Sequence, residues 1–206
     1  RETILWGNTT RSGEVHFNST RVTGMNPVSL HELTEAEIIA RRQIEELFSW
    51  LKEKMPAFKD AYLLRIATQI GVRESRTIQG GYRLTEGDVL SCRKFPDAIA
   101  KCSYPIDIHS PQGSGTRLSP IDNGEWYEIP YPTLYTPFLE NMLVAGRCIS
   151  ATHEALASLR IMPTCMVTGQ AAGTAIALAS AENVAVRKVH IAELQANLKS
   201  DGVDLR

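Results

Sequence analysis

The chain has 206 residues, 43% of them hydrophobic and 22% charged, enough for one large domain or two small ones around packed cores. Its 22 basic residues are balanced by 23 acidic ones, which excludes the net positive field that nucleic acid or an anionic membrane would need. Cys92, Cys102, Cys148 and Cys165 show neither CxxC nor zinc-ligand spacing, so the sequence predicts no disulfide scaffold, no metal site and a reducing, cytoplasmic setting.

The opening stretch ILWGNTTRSGEVHFNSTRVTG mixes β-formers with Gly, Asn and Ser breaks and predicts two or three short strands joined by turns. LTEAEIIARRQIEELFSWLKEKMP then predicts a long helix. Thr34 with Glu37 reads as a capping box, Ala36, Ile39, Ala40, Ile44, Leu47, Phe48 and Leu51 recur at helical spacing, and Pro56 closes the segment. Arg41, Arg42, Glu45, Glu46 and Lys52 fall on the wet side, so this helix is scaffolding that covers the strands. Over residues 62–110, YLLRIATQIGVRES, RTIQGGYRL and CSYPIDIH predict more strands, with short helical turns in EGDVLSCRKFPDAIA. HSPQGSGTRLSPIDNGEWYEIPYPTLYTP predicts loop with an extended, proline-broken finish. NMLVAG predicts a strand buried on both faces, and THEALASLR a short helix. VHIAELQANLKSDG closes the chain as a helix with Ile191, Leu194 and Leu198 on one face.

The segment between those last two helices, RIMPTCMVTGQAAGTAIALASAE, carries no charged side chain between Arg160 and Glu182. Pro163 suits a first helical position, which predicts a buried helix from Pro163 to Ala181 of about 28 Å. Gly169, Gly173 and Ala177 fall four apart; a helical Gly costs roughly 1 kcal/mol relative to Ala unless close packing needs the space. Thr164, Thr168, Gln170, Thr174 and Ser180 make the segment too polar for a membrane span. A buried strand ending at Gly146, followed by a connection and a proline-started helix, aims free N–H groups and a helix dipole at one place. Such an end suits phosphate or an electron-rich ring edge, while on composition alone a core helix without a ligand is the simpler reading.

GVRESRTIQGGY (71–82), FPDAIAKCSYPIDIH (95–109), EIPYPTLYTP (128–137) and NMLVAGRCISATHEALASLRIMPTCMVTGQAAGTAIALA (141–179) together resemble the carboxyl-terminal half of a family of FAD-dependent oxidoreductases. The similarity runs from about Glu14 to the end. It implies an α+β fold: a mostly antiparallel, β-rich substrate lobe over 1–135 with its long covering helix, then the last strand and helix of a Rossmann-type FAD-binding domain over 136–206. It also implies hydride transfer between a small-molecule substrate and FAD. The family's first strand, GxGxxG turn and ribose-binding acid have no counterpart in these residues. Gly113-Ser114-Gly115 lacks the later glycine, so the sequence reads as a carboxyl-terminal part that binds FAD weakly or not at all alone. A non-enzymatic small-molecule or protein-binding module derived from the substrate lobe is the alternative.

The resemblance places Gly146, Arg147 and Ser150 along the cofactor. The helix opened by Pro163 would turn the amides of Thr164, Cys165 and Met166 toward the flavin N1–C2=O2 edge, where negative charge develops. Many flavoproteins have Gly-Asp where this chain has Gly146-Arg147, and Arg donates but cannot accept, so the ribityl-holding role has no candidate here. Arg73 and Arg76, around Glu74, are candidates to present a guanidinium to an oxyanion on the substrate, or else form an internal ion pair. Asp107 and His109, two apart in a predicted strand, share a face and suit a carboxylate-oriented imidazole, or a structural pair. His153 sits at a predicted loop-to-helix junction. Apolar faces left without neighbours at 142–146 and 163–181 predict a homodimer.

Overall fold

The computed structural model describes residues 4–109, 115–122 and 124–205, with the side chains of residues 109 and 116 set aside. It divides into two compact units, Arg1–Ser75 with His109–Gly115, and Arg76–Ile108 with Thr116–Arg206. The architecture is α+β with small antiparallel sheets, as the resemblance implies. The second unit takes residues from both sides of position 135.

In the first unit, β1 (Trp6–Asn8) and β2 (Val15–Phe17) form an antiparallel hairpin in the register Trp6↔Phe17, Gly7↔His16, Asn8↔Val15. α1 (Leu30–Lys54) buries Ala36, Ala40 and Leu51, and Ile39, Ile44, Leu47 and Phe48 are half-buried, so the seven-residue apolar stripe is the packed one. The Gln43 side chain holds the strand exit by accepting from Arg21 N–H and donating to Arg21 C=O, both at 2.9 Å. The expected capping box is displaced. Ser29 caps the helix by accepting from Glu32 N–H, while Thr34, already helical, donates back to Leu30 C=O at 2.8 Å. Glu37 accepts from Ile70 N–H and Arg41, each at 2.7 Å, which ties the chain after α1 to the helix. YLLRIATQIGVRES makes no strand: Tyr62 and Leu64 face outward at 78% and 57% exposure, and without a neighbouring ladder β-propensity has nothing to pair with.

The second unit is organised on a two-stranded ribbon. β3 (Ala98–Cys102) pairs antiparallel with β6 (Tyr127–Pro130), with an irregularity at Ala98/Ala100. β4 (Ile106–His109) pairs with β5 (Thr116–Ser119). β6 falls in the extended, proline-broken finish that the sequence predicts, its four residues all buried, while β5 lies in the part read as loop. α2 (Glu86–Leu90) starts on a true capping box, Thr85 with Asp88. α3 (His153–Leu159) is capped by Thr152, and α4 (Met162–Glu182) leaves it at 95° and packs on β3. α5 (Ile191–Ser200) buries Leu194 and Leu198 between α4 and β3. Its Gln195 amide donates to the carbonyls of Pro96 and Ala98, each at 3.0 Å. The core joins Ile99, Tyr127, Ile129, Leu134, Ile149, Leu156 and Leu159 to Leu84, and Tyr131 Oη donates to Val186 C=O at 2.7 Å.

Two expectations are corrected here. NMLVAG is extended and only half-buried: Leu143 makes a single antiparallel bridge to Tyr135, and among the described residues no parallel neighbours flank it. A strand buried on both faces needs a strand on each side, and the segment packs against Leu134 instead, through Val144 N–H at 2.8 Å. α4 is likewise buried on one face only, through Thr164, Thr168, Ala171, Ala172, Ala175 and Ala179. Gly169, Gly173 and Ala177 lie on the exposed face, and a Cβ added at either glycine would meet nothing within 4 Å, so no close packing explains them within this chain. Among the described residues no single helix is long and apolar enough to cross a membrane.

Candidate functional site

The candidate site forms where the start of α4 meets the 3-10 turn Gly146–Cys148. Gly146 adopts φ +69°, a left-handed conformation that glycine tolerates without strain. Its N–H donates to Thr168 Oγ1 at 3.0 Å, and that hydroxyl bonds in turn to the carbonyls of Thr164 and Cys165. The turn is thereby tied to the first two turns of the helix. The segment leading to Leu84 runs beside it: Ile78 N–H bonds to Cys148 C=O at 3.0 Å, Leu84 N–H to Ser150 C=O at 3.1 Å, and Thr152 N–H to Leu84 C=O at 2.8 Å. This brings the backbone two residues after Arg76 onto the 146–150 segment.

α4 begins without any side-chain cap. Ile161 occupies the cap position, Met162 and Pro163 follow, and the helix is 21 residues, or about 31 Å, long. The amides expected to face a ligand shift by one or two residues. Cys165 N–H already donates to Ile161 C=O at 3.0 Å, and Met166 is one step deeper in the helix. The amides left without an intrahelical acceptor are those of Met162 and Thr164, because Pro163 has none. Met162 and Met166 are 80% and 73% exposed, so the pole opens outward past two flexible thioethers.

Charge gathers at the same place. Burial pushes the Cys165 thiol up, against the Arg147 and Arg160 guanidiniums, which favour its thiolate; the nearby Cys148 adds to the rise. Cys165 Sγ donates to Arg160 C=O at 3.4 Å, and Arg160 Nη2 donates to Asp107 C=O at 3.2 Å. Beneath the pole, Thr164 Oγ1 donates to Cys102 Sγ at 3.4 Å. Tyr127 Oη and Ser158 Oγ lie 2.8 Å apart, and Ser158 Oγ donates to Tyr104 C=O at 2.6 Å. Burial drives the Tyr127 phenol well above its ordinary value, so this chain stays protonated and acts as support.

The predicted site residues divide accordingly. Gly146, Arg147, Ser150, Pro163, Thr164, Cys165 and Met166 are gathered around the turn and the helix start, although Ser150 is buried at 1% exposure and offers its backbone. His153 is exposed in the first turn of α3, whose neighbour Glu154 is held below the usual carboxylate range by its own backbone N–H and the Thr152 hydroxyl. Arg73 belongs to the first unit and Arg76 to the second. Asp107 is buried on β4; the His109 backbone ends that strand and its side chain lies outside the described residues. Sequence reasoning missed the Met162 amide and the Arg160 guanidinium, while Cys148 and Cys165 both read there as flanking the cofactor edge. The Ile161-Met162-Pro163 run holds the signal for the first; the second enters only through packing.

An uncapped, 21-residue helix with two free amides and flanking guanidiniums fits the electron-rich edge of a flavin ring. For the adenine and pyrophosphate the described residues offer no glycine-rich cradle, and Gly113-Ser114 lies outside them. The described residues also hold no cluster of three or more His, Cys, Asp or Glu side chains fit for a metal ion. A family model described as FAD dependent oxidoreductase matches residues 2–198. No curated protein and no solved structure matches the chain.

Proposed function

The chain belongs to the FAD-dependent oxidoreductase family, and from that premise we propose that it contributes the substrate lobe (1–135) and the flavin-edge elements (136–206) of such an enzyme. Bound flavin would supply hydride exchange with a small-molecule substrate. The chain's own residues position and stabilise. The Met162 and Thr164 amides and the α4 dipole meet the negative charge that develops on the ring edge, and Arg147 and Arg160 reinforce them. The glycine at 146 brings the backbone of the turn close to the helix start. Arg73, Arg76, His109 and His153 are the candidates for orienting the substrate and handling its proton.

The observation that carries this reading is the uncapped start of α4 beside the Gly146–Cys148 turn. Nothing in these 206 residues reads as a nucleotide cradle, so adenine and pyrophosphate are assigned to sequence outside them. The reading is tested by titrating FAD into the chain alone and into a mixture with a separately expressed amino-terminal nucleotide-binding part of the same gene product. Weak or no retention alone, with yellow protein recovered from the mixture, is expected. Replacing Arg147 by Glu should weaken that recovery. Colourless protein from every mixture, with both parts folded, overturns the reading.

A further inference from the structure

Behind the 146–148 turn, the segment 78–84 is wedged on two sides. Ile78 N–H, Leu84 N–H and Leu84 C=O bond to the 148–152 stretch, while Gly81 N–H and Tyr82 N–H bond to the carbonyls of Tyr135 and Pro132 at 3.0 and 3.2 Å. A Cβ at Gly80 would stand 2.6 Å from Ser150 Cβ, and one at Gly81 2.7 Å from the Tyr135 ring, so the wedge has no slack. One side chain fastens it to a different element. Tyr82 Oη donates to Asp88 Oδ2 at 2.9 Å and accepts from Arg93 Nη1 at 3.1 Å. Asp88, buried in α2, also accepts from the Thr85 N–H at 2.9 Å and hydroxyl at 2.8 Å, and from Arg93 Nη1 at 2.9 Å. The Tyr82 ring meets Phe95 edge-on at 5.3 Å, and the Arg93 guanidinium lies 4.9 Å from the Phe95 ring centre. The capping box of α2 is complete with Thr85 and Asp88 alone. What the Tyr82 hydroxyl adds is therefore a charge-assisted tie between α2 and the wedge.

We propose that Tyr82 is a positioning residue for the 146–150 segment: by tethering its own backbone to Asp88 and Arg93, it backs the turn against the start of α4. The path is short. Gly80 and Leu84 flank Tyr82, and the contacts of both fall on Ser150. Ile149 N–H then bonds to Gly146 C=O at 3.4 Å, and Gly146 N–H to Thr168 Oγ1 at 3.0 Å. Releasing the hydroxyl lets the wedge draw away from Ser150 and leaves the turn without its backing, while the β3–β6 ribbon keeps its own ladder. On the flavin reading the tether sets how closely the turn approaches the ring edge. That use rests on the proposed function; the tether itself does not.

Tyr82→Phe keeps the ring against Phe95 and removes only the hydroxyl. On the chain alone, amide exchange is followed by NMR at Leu84, Gly146, Ser150 and the β3–β6 ribbon. N-ethylmaleimide labelling is followed at half-buried Cys165, whose Sγ would lie 3.5 Å from a Cβ at Gly146. Expected is about tenfold faster exchange at Leu84, Gly146 and Ser150, the factor for one lost bond to a charged group, with faster labelling of Cys165 and an unchanged ribbon. In an Asp88→Asn background the same substitution should add little, because the two side chains act as one unit. Gln195→Ala, which frees the start of β3, should do the opposite: faster exchange in the ribbon and unchanged labelling of Cys165. Mixed with the separately expressed amino-terminal part, Tyr82→Phe should retain FAD more weakly and shift its visible absorbance bands. Exchange that rises equally everywhere, no rise at Gly146 and Ser150, or effects that simply add to those of Asp88→Asn overturns the proposal. Local loosening with FAD retention and spectrum unchanged overturns its bearing on the cofactor. Local loosening with colourless parent mixtures supports the tether and refutes the flavin reading.

Discussion

Gly80→Ala should unsettle the candidate site from behind. A methyl at Gly80 would lie 2.6 Å from Ser150 Cβ, 2.9 Å from Pro132 C=O and 3.0 Å from Tyr82 C=O. Gly80 does not adopt a left-handed backbone, so the lesion is steric. Ser150 Cβ would have to give by about 0.8 Å to reach ordinary contact, and none of its surroundings is loose. Ser150 N–H bonds to Thr133 C=O at 2.9 Å, Ser150 C=O accepts from Leu84 at 3.1 Å, and Pro132 C=O accepts from Tyr82 at 3.2 Å. Overpacking of this kind costs about 1–3 kcal/mol, and each stretched bond about 1 kcal/mol more, so a loss of roughly 3 kcal/mol is expected. For a chain of this size that lowers Tm by about 6–12 °C. Thermal and urea unfolding followed by circular dichroism measure it. Ser150→Gly removes the nearest atom and should recover part of the loss in the double variant, a non-additive result. Gly80→Ala unfolding within about 0.5 kcal/mol of the parent, or losses that simply add, would refute the packing argument.

Gly169→Ala and Gly173→Ala should act in the opposite direction. Each fills open space on an exposed helix face and should raise the stability of the isolated chain by up to about 1 kcal/mol, read as a higher urea midpoint. Asp88→Asn should cost about 2–3 kcal/mol at neutral pH. Burial pushes that carboxyl up, but the Thr85 amide and hydroxyl, Arg93 and Tyr82 together hold it below its ordinary 3.8. A depressed folded value means the contribution is present above 3.8 and is lost as pH falls through the folded value, so parent and variant should converge in acid. A gap that does not narrow below pH 3.8 contradicts that assignment. Ser158→Ala removes the 2.8 Å partner of the buried Tyr127 hydroxyl and the donor to Tyr104 C=O, and should lower stability by about 1–3 kcal/mol, with Ser158→Thr tested beside it to separate lost bonding from lost volume.

The helix α1 was legible because seven apolar residues at helical spacing need only themselves to be seen. Its start was misplaced because Ser29-x-x-Glu32 and Thr34-x-x-Glu37 spell the same capping pattern, and local letters do not say which is used. Residues 62–75 and 142–146 have the composition of strands, yet a strand exists only where another backbone pairs with it, and that depends on partners distant in sequence. The reverse error hid β5: Thr116–Ser119 lies in a Gly-, Pro- and Ser-rich stretch that suggested loop, and it becomes a strand only because β4 pairs with it. Pro163 disclosed the helix start correctly to within a residue, but counting free amides requires knowing that Ile161 is the cap. The Arg160 guanidinium joins the site through folding contacts that no spacing rule could display.

A two-stranded ribbon carries a hazard, since either free margin can recruit a strand from a neighbouring molecule. At the start of β3 one carboxamide occupies part of that margin: Gln195 donates to the carbonyls of Pro96, just before the strand, and Ala98, its first residue. The helix Ile191–Ser200 therefore leaves fewer free acceptors at that end of the ribbon as well as filling the core, and it does so without widening the sheet.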